Sequence, residues 1–263
     1  CVLAGGTVML QQRFSPPQGR EGYNEVAGSV FEIISVLYAI VLAFLLIAVW
    51  EQRAEAREVT FAESDALVDV YWASKDLPEP QAEAVEDLCL DYAEGVIDEE
   101  WPKMAAREDV GESGWKIIDA MHREIDEGLP TTDEVSLGLS DGAEEAIAGL
   151  SQARSDRLNA NVEGLTGVMW LVLIAGALLM FGILLLFGVP GKLAHVVVVV
   201  IAAAMVVLLL FSVFELEYPF SRGVALSPDA FNLALERMKG IGLEGPLNPL
   251  AGSGGGVSII ERR

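Results

Sequence analysis

Three long apolar runs, at residues 26–50, 165–188 and 193–214, constrain this chain more than any other feature. Each is about 20 residues long or slightly more, enough for an α-helix to cross ~30 Å of hydrocarbon. A chain with three such runs is a multi-pass membrane protein. Its mean hydropathy of +0.41 coexists with a net charge of −22, so apolar and charged residues must be segregated. Residues 51–164 hold 30 Asp+Glu against 9 Lys+Arg, a net of −21. Almost the whole imbalance therefore lies between the first and second runs, in a stretch the size of one folded domain.

Composition also excludes several functions. The absence of a basic footprint argues against nucleic acid as a partner. The two cysteines, Cys1 and Cys89, form no disulfide framework, and no Cys/His spacing suits zinc. A nucleophile elbow, a phosphate loop and a Gly-rich dinucleotide fingerprint are all missing. The expectation is a protein that is not an enzyme and uses neither cofactor nor metal.

The pattern gives an all-α reading. Residues 1–12 are apolar but too short to span, and read as the end of a first, truncated transmembrane helix; a lipid-modified Cys1 is the alternative. Residues 11–25 form a polar connector, broken by Pro16, Pro17 and Gly19. A transmembrane helix covers 26–50, and an acidic helical soluble domain covers 51–164. Within that domain, Val59, Ala62, Ala66, Leu67, Val70 and Tyr71 share a face of a helix that ends at Pro78. A second helix runs over about 80–100 and is broken at Trp101-Pro102. A third spans about 113–127, opened by Ser113 and stopped by Gly128 and Pro130. A fourth runs toward Gly164 and continues into the next span. Transmembrane helices at 165–188 and 193–214 are joined by Val189-Pro190-Gly191-Lys192, which forces an antiparallel hairpin. Residues 215–263 hold a short helix started by Ser227-Pro228, with Phe231, Leu235 and Met238 on one face, and a Gly-rich tail. The fold class is thus an all-α membrane protein of four transmembrane helices, the soluble domain inserted between the second and third.

Several segments, in order, resemble a known family. Asn24-Glu25-Val26-Ala27-Gly28 opens a helix reading Val36-Leu37-Tyr38-Ala39-Ile40-Val41-Leu42-Ala43-Phe44. Glu100-Trp101-Pro102 and Arg154-Ser155-Asp156-Arg157-Leu158 follow. Pro219-Phe220-Ser221 and Ser227-Pro228-Asp229-Ala230-Phe231 come after the last span. Together these resemble the bestrophin-like domain family of bacterial membrane proteins, over about residues 10 to 238. The resemblance implies four transmembrane helices, with the helical domain between the second and third. It points more distantly to bestrophins, pentameric anion channels whose second helix lines the pore neck and whose helical domain is cytosolic.

Glu32, about two turns inside the second helix, is the sharpest candidate residue, because an ionisable group there is costly and suggests function. Glu25, Gly28, Ser35 and Ala39 share its face. In an oligomer that face would line a path for ions or protons. Alternatively Glu32 snorkels to the headgroups, and Gly28, Ser35 and Ala39 permit close helix packing. Asn24 reads as a helix cap and Glu25 as a charge matched to the helix dipole. The acidic triplet Asp98, Glu99 and Glu100 lacks EF-hand spacing and reads as a solvated helix end. Trp50, Trp170 and Tyr218 read as interfacial aromatics. Gly176 and Gly182 read as packing notches.

Two functions remain open. One is an oligomeric ion channel or pore, in which the acidic domain forms a vestibule that concentrates cations. The other is a non-catalytic accessory or scaffold subunit of a larger membrane complex. The partners are the lipid bilayer and either further copies or other membrane subunits. The location is the bacterial inner or plasma membrane. Arg13, Arg20 and Lys192 on the short connectors place the acidic domain on the extracytoplasmic side.

Overall fold

The computed structural model describes residues 21–128, 134–162, 164–186 and 192–244. The expected partial span at 1–12, the connector after it, most of the hairpin turn and the Gly-rich tail lie outside the described residues. All described elements are helical: α1 (Glu21–Ser74), α2 (Gln81–Gly95), a π-helical turn (Val96–Glu100), α3 (Trp101–Ala106), α4 (Ser113–Gly128), α5 (Glu134–Val162), α6 (Gly167–Leu186), α7 (Lys192–Leu216) and α8 (Asp229–Glu244). Among the described residues, three helical stretches are long and apolar enough to cross a membrane, carried by α1, α6 and α7.

The contacts divide the chain into two units. The first comprises residues 1–62, 101–110 and 153–227, and holds the apolar part of α1 together with α6 and α7. Its core is a seam of Tyr38, Leu42 and Val49 from α1, Leu173, Ala177 and Met180 from α6, and Val206 and Val213 from α7. Leu184 and Val199, each near the α6–α7 connector, form a second small cluster, as an antiparallel hairpin requires. Side chains on the outer faces stay exposed: Ile33, Leu37 and Phe44 on α1, Leu171 and Leu178 on α6, Ile201 and Leu208 on α7. In water such an apolar surface would be a liability; in a bilayer it suits acyl chains or the apolar faces of other helices.

The second unit comprises residues 63–100, 111–152 and 228–263. Here α2 packs against α4 and α8. Val85, Cys89 and Tyr92 from α2, Ile118, Met121 and Ile125 from α4, and Phe231 and Met238 from α8 are buried. Leu235, expected on the same face of α8 as the last two, is half-buried. Carboxylates occupy the outer faces, so each helix is amphipathic in the ordinary aqueous sense.

Local structure departs from the sequence reading at two places. Trp101-Pro102 does not break the second helix of the domain. The chain widens into a π-turn at Val96–Glu100 and continues as α3. Pro102 lacks an N–H and its ring crowds the preceding turn, and a wider turn accommodates both without ending the helix. Nor is α5 continuous with α6: residues 164–166 are non-helical, and the Thr166 carbonyl accepts the first α6 bonds, from Met169 N at 2.9 Å and Trp170 N at 3.3 Å. A Cβ on Gly164 would lie 2.9 Å from the Tyr218 ring, so glycine is needed for the chain to pass there.

Helix α3 ends on Arg107, whose φ of +60° is in the left-handed region. Arg107 N–H donates to the Met104 carbonyl and Glu108 N–H to the Lys103 carbonyl, the paired bonds of a Schellman ending. Glycine is usual at this position, so arginine there has a separate use, described below.

Candidate functional site

The face of α1 singled out from sequence can now be followed residue by residue. The helix already begins at Glu21, so Asn24 lies inside it and is not its cap, and Glu25 follows one turn in; nothing is described of their side chains. Glu32 and Ala39 are exposed, whereas Gly28 and Ser35 are half-buried at the edge of the packed side. The Ser35 hydroxyl is shielded and has no hydrogen-bond partner among the described residues, and the same holds for the Tyr38 hydroxyl. Glu32 therefore lies on a surface that α6 and α7 leave open, next to the apolar row of Ile33, Val36 and Leu37.

The packed side of α1 is built on Tyr38. A Cβ on Gly176 would come within 2.6 Å of the Tyr38 ring, so the tyrosine sits directly on the glycine of α6. Gly176 is a notch in the literal sense. Gly182 is different: a Cβ there would meet nothing within 4 Å. The i, i+4, i+11 spacing of Tyr38, Leu42 and Val49 marks one helical face and could have identified this seam in advance.

The aromatic residues expected at the interface fall into two settings. Trp50 is exposed at the end of the apolar part of α1. Trp170 and Tyr218 instead belong to one cluster at the ends of α6 and α7. The Trp170 indole donates to Glu217 Oε1 at 2.9 Å and meets the Phe214 ring edge-on at 6.4 Å. Arg222 donates to Glu217 Oε2 at 3.0 Å and to the Phe214 carbonyl at 2.7 Å. Its guanidinium lies 3.6 Å from the Phe214 ring centre and 4.6 Å from that of Tyr218. Arg107 comes within 3.7 Å of the Tyr218 ring centre, which is what the unusual helix ending achieves.

The Glu217 side chain is only 4 % exposed, so its charge needs both donors. Nearby, Trp101 donates to the Leu226 carbonyl at 3.0 Å and packs edge-on against Phe220 at 5.4 Å. Arg157, fully buried, donates to Met104 Sδ at 2.9 Å, and Arg154 is equally buried. Sequence reasoning missed Glu217, Arg222 and Arg107. A charged residue just past a span reads as solvated unless its partner is known, and these partners lie up to 111 residues apart.

In the second unit the acidic triplet divides. Asp98 and Glu99 are exposed and Glu100 is buried. They line a cleft of about 290 Å³ with Asp91, Glu94 and Ser113. Among the described residues no group of three His, Cys, Asp or Glu side chains is placed to hold a metal ion. Elsewhere Tyr92 donates to buried Glu63 at 2.6 Å, and Lys75 pairs with Glu86 at 2.7 Å beside the Tyr71 hydroxyl. Burial, reinforced by the charge of Glu86, pushes the Tyr71 hydroxyl up. Burial works against the Lys75 ammonium, but its hydrogen bond and charge pairing with Glu86 outweigh that and raise it. His122 and Glu144 are 2.6 Å apart at a half-buried site.

A family model described as the bestrophin-like domain matches residues 1–231. Among solved structures, a bacterial bestrophin homolog from Klebsiella pneumoniae carrying a point substitution superposes with a TM-score of 0.65 at 16% identity, covering 91% of this chain and 95% of that chain. The same homolog phased on zinc gives 0.61 at 17% identity, covering 90% and 93%. A crystal structure described only as a membrane protein gives 0.61 at 18% identity, covering 90% and 93%. A search of curated proteins gives no match.

Proposed function

The chain belongs to the bestrophin-like domain family, and on that premise we propose that it is an oligomeric membrane ion channel in which α1 faces the central axis. The observation that carries this reading is the open face of α1. Glu32 and Ala39 are exposed there, beside apolar side chains that the protomer leaves uncovered. A charged group inside the membrane-spanning part of a helix is stabilised by water or by further copies, not by acyl chains. A closed ring of copies would provide both. Asn24 and Glu25 stand at the entrance of the same helix, with Gly28 and Ser35 letting neighbouring helices approach.

The acidic domain forms the vestibule. A net of −21 over residues 51–164 repeats in every copy, concentrating cations and repelling anions. The expected permeant ion is a cation, in contrast to the chloride of bestrophins proper. The positive charges of Arg13, Arg20 and Lys192 on the short connectors support an extracytoplasmic side for this domain; a cysteine introduced at exposed Ser227 and labelled from outside intact cells checks the side.

Native mass spectrometry of gently extracted protein is the first test. A single homo-oligomer, together with cation flux into proteoliposomes that falls at least threefold in Glu32→Ala, supports the channel. One copy travelling with other polypeptides identifies an accessory subunit instead and removes the channel reading.

A further inference from the structure

In the proposed channel, one face of α1 looks toward the axis and the neighbouring copies, and beyond the membrane span that face turns basic. Trp50, Arg53 and Arg57 lie eighteen positions after Glu32, Ser35 and Ala39, and at ~3.6 residues per turn they continue the same face. With Leu226 and Ser227 from the segment after α7 they line a cavity of about 400 Å³. The other side of the helix is acidic. Glu51 and Glu55 each lie roughly 160° around the helix from Arg53, and Glu58 roughly 140°. A second cavity of about 400 Å³ opens on that side, lined by Gln52, Glu55, Asp156 and Asn159 among others, with no basic side chain.

Along one helix these charges cannot meet. A helical side chain reaches those three and four positions away. Around Arg53 these are Val49, Trp50, Ala56 and Arg57; around Arg57 they are Arg53, Ala54, Thr60 and Phe61. None is acidic. Among the described residues neither arginine has an ion pair or a hydrogen bond, and the same is true of Glu51, Glu55 and Glu58. The Arg57 guanidinium lies 5.4 Å from the Phe61 ring centre, a contact that holds it without neutralising it. Arg57 and the three glutamates are exposed, and Arg53 is half-buried.

A closed ring supplies the missing partners. Its contacts are heterologous, so each copy shows one flank to the neighbour on one side and the opposite flank to the neighbour on the other. A helix basic on one flank and acidic on the other is therefore complementary to its own copies. Resting on the reading that α1 lines the axis of such a ring, we propose that Arg53 and Arg57 of one copy form ion pairs with Glu51 and Glu55 of the next. The planar guanidinium fork takes a carboxylate through two parallel hydrogen bonds, which fixes the register of the copies as well as attracting them. The pairing also removes an obstacle to cation passage. Unpaired, two arginines per copy would set a ring of positive charge at the mouth of the span; paired, that ring is neutral.

The test uses the full chain, gently extracted, and reads the ratio of ring to single copy by native mass spectrometry. Arg53→Glu with Arg57→Glu should lower the ratio about tenfold or more, and Glu51→Arg with Glu55→Arg should do the same. The four changes together rebuild the pairing in reverse at unchanged net charge, and should return the ratio to within about threefold of the wild type. Arg57→Cys with Glu55→Cys tests proximity without reversing any charge. Mild oxidation should join its copies into a reducible ladder, because the two thiols of one copy point to opposite sides of its helix. Each single-cysteine variant should stop at pairs. Rings that survive the arginine reversal, a folded four-change variant that does not recover, or a ladder that stops at pairs overturns the pairing and leaves the channel reading standing. A wild type found as one copy among other polypeptides overturns both. If the reversed variants fail to fold, the ladder decides.

Discussion

The two units solve opposite versions of one problem. In the membrane unit the outward side chains along the spans are mostly apolar, with Glu32 a charged exception, and other polar ones gather at the helix ends. Glu217, Arg222, Trp170 and Tyr218 form such a knot. In the acidic unit carboxylates line the outside, and the inside is hydrocarbon around Cys89, Met121 and Phe231 with a few buried polar groups such as the Tyr92–Glu63 pair. The same helix, α1, serves both, apolar at its start and amphipathic at its end. Water therefore decides what a polar contact contributes. Pairs at the ends of the spans are shielded and each partner depends on the other, whereas pairs on the acidic surface are screened and dispensable.

That contrast can be broken in graded steps. Arg222→Met should have the largest effect, because it leaves the 4 % exposed Glu217 carboxylate with the Trp170 indole as its one remaining donor among the described residues. Removing one partner of a buried pair costs ~3 kcal/mol or more, read as a lowered unfolding midpoint in detergent. Gly176→Ala comes next. Its Cβ would stand 2.6 Å from the Tyr38 ring, and overpacking of this kind costs ~1–3 kcal/mol. A double variant with Tyr38→Leu should recover part of the loss; no recovery would mean that the notch is not what Gly176 provides.

Tyr92→Phe removes a donor to buried Glu63 and should cost about 1–3 kcal/mol in the acidic unit, read as a lowered unfolding midpoint. Lys239→Ala breaks an exposed pair with Glu94, each side chain 52 % exposed, and should shift the midpoint hardly at all. If Lys239→Ala matched Arg222→Met, the distinction between the units would fail. Cys89 offers a measurement without mutation. Burial, aided by the charge of Glu86, pushes its thiol far above the ordinary range. A weak acid with a raised pKa is protonated at neutral and mildly alkaline pH, so Cys89 should resist alkylation at pH 8 until the domain unfolds.

Much of this was legible along the chain. The apolar runs foretold the spans in α1, α6 and α7. Ser227-Pro228 marked the start of α8, and Ser113 and Gly128 bounded α4 closely. The break expected at Trp101-Pro102 proved to be a π-turn, because a proline excludes one hydrogen bond but leaves the chain free to widen. The continuity expected through Gly164 failed where the Tyr218 ring comes against the glycine. Neither outcome is local: the first depends on what α3 then packs against, the second on a residue 54 positions away.

By itself, then, the sequence determined that this is a helical membrane protein with an acidic domain held between its spans, since hydropathy and charge are properties of neighbouring residues. Which polar groups are shielded was decided only by the tertiary structure. Trp170 meets Glu217, Tyr38 meets Gly176 and Tyr92 meets Glu63 through folding alone. The environment of a charge is set by what folding brings beside it, and that information is spread over the whole chain.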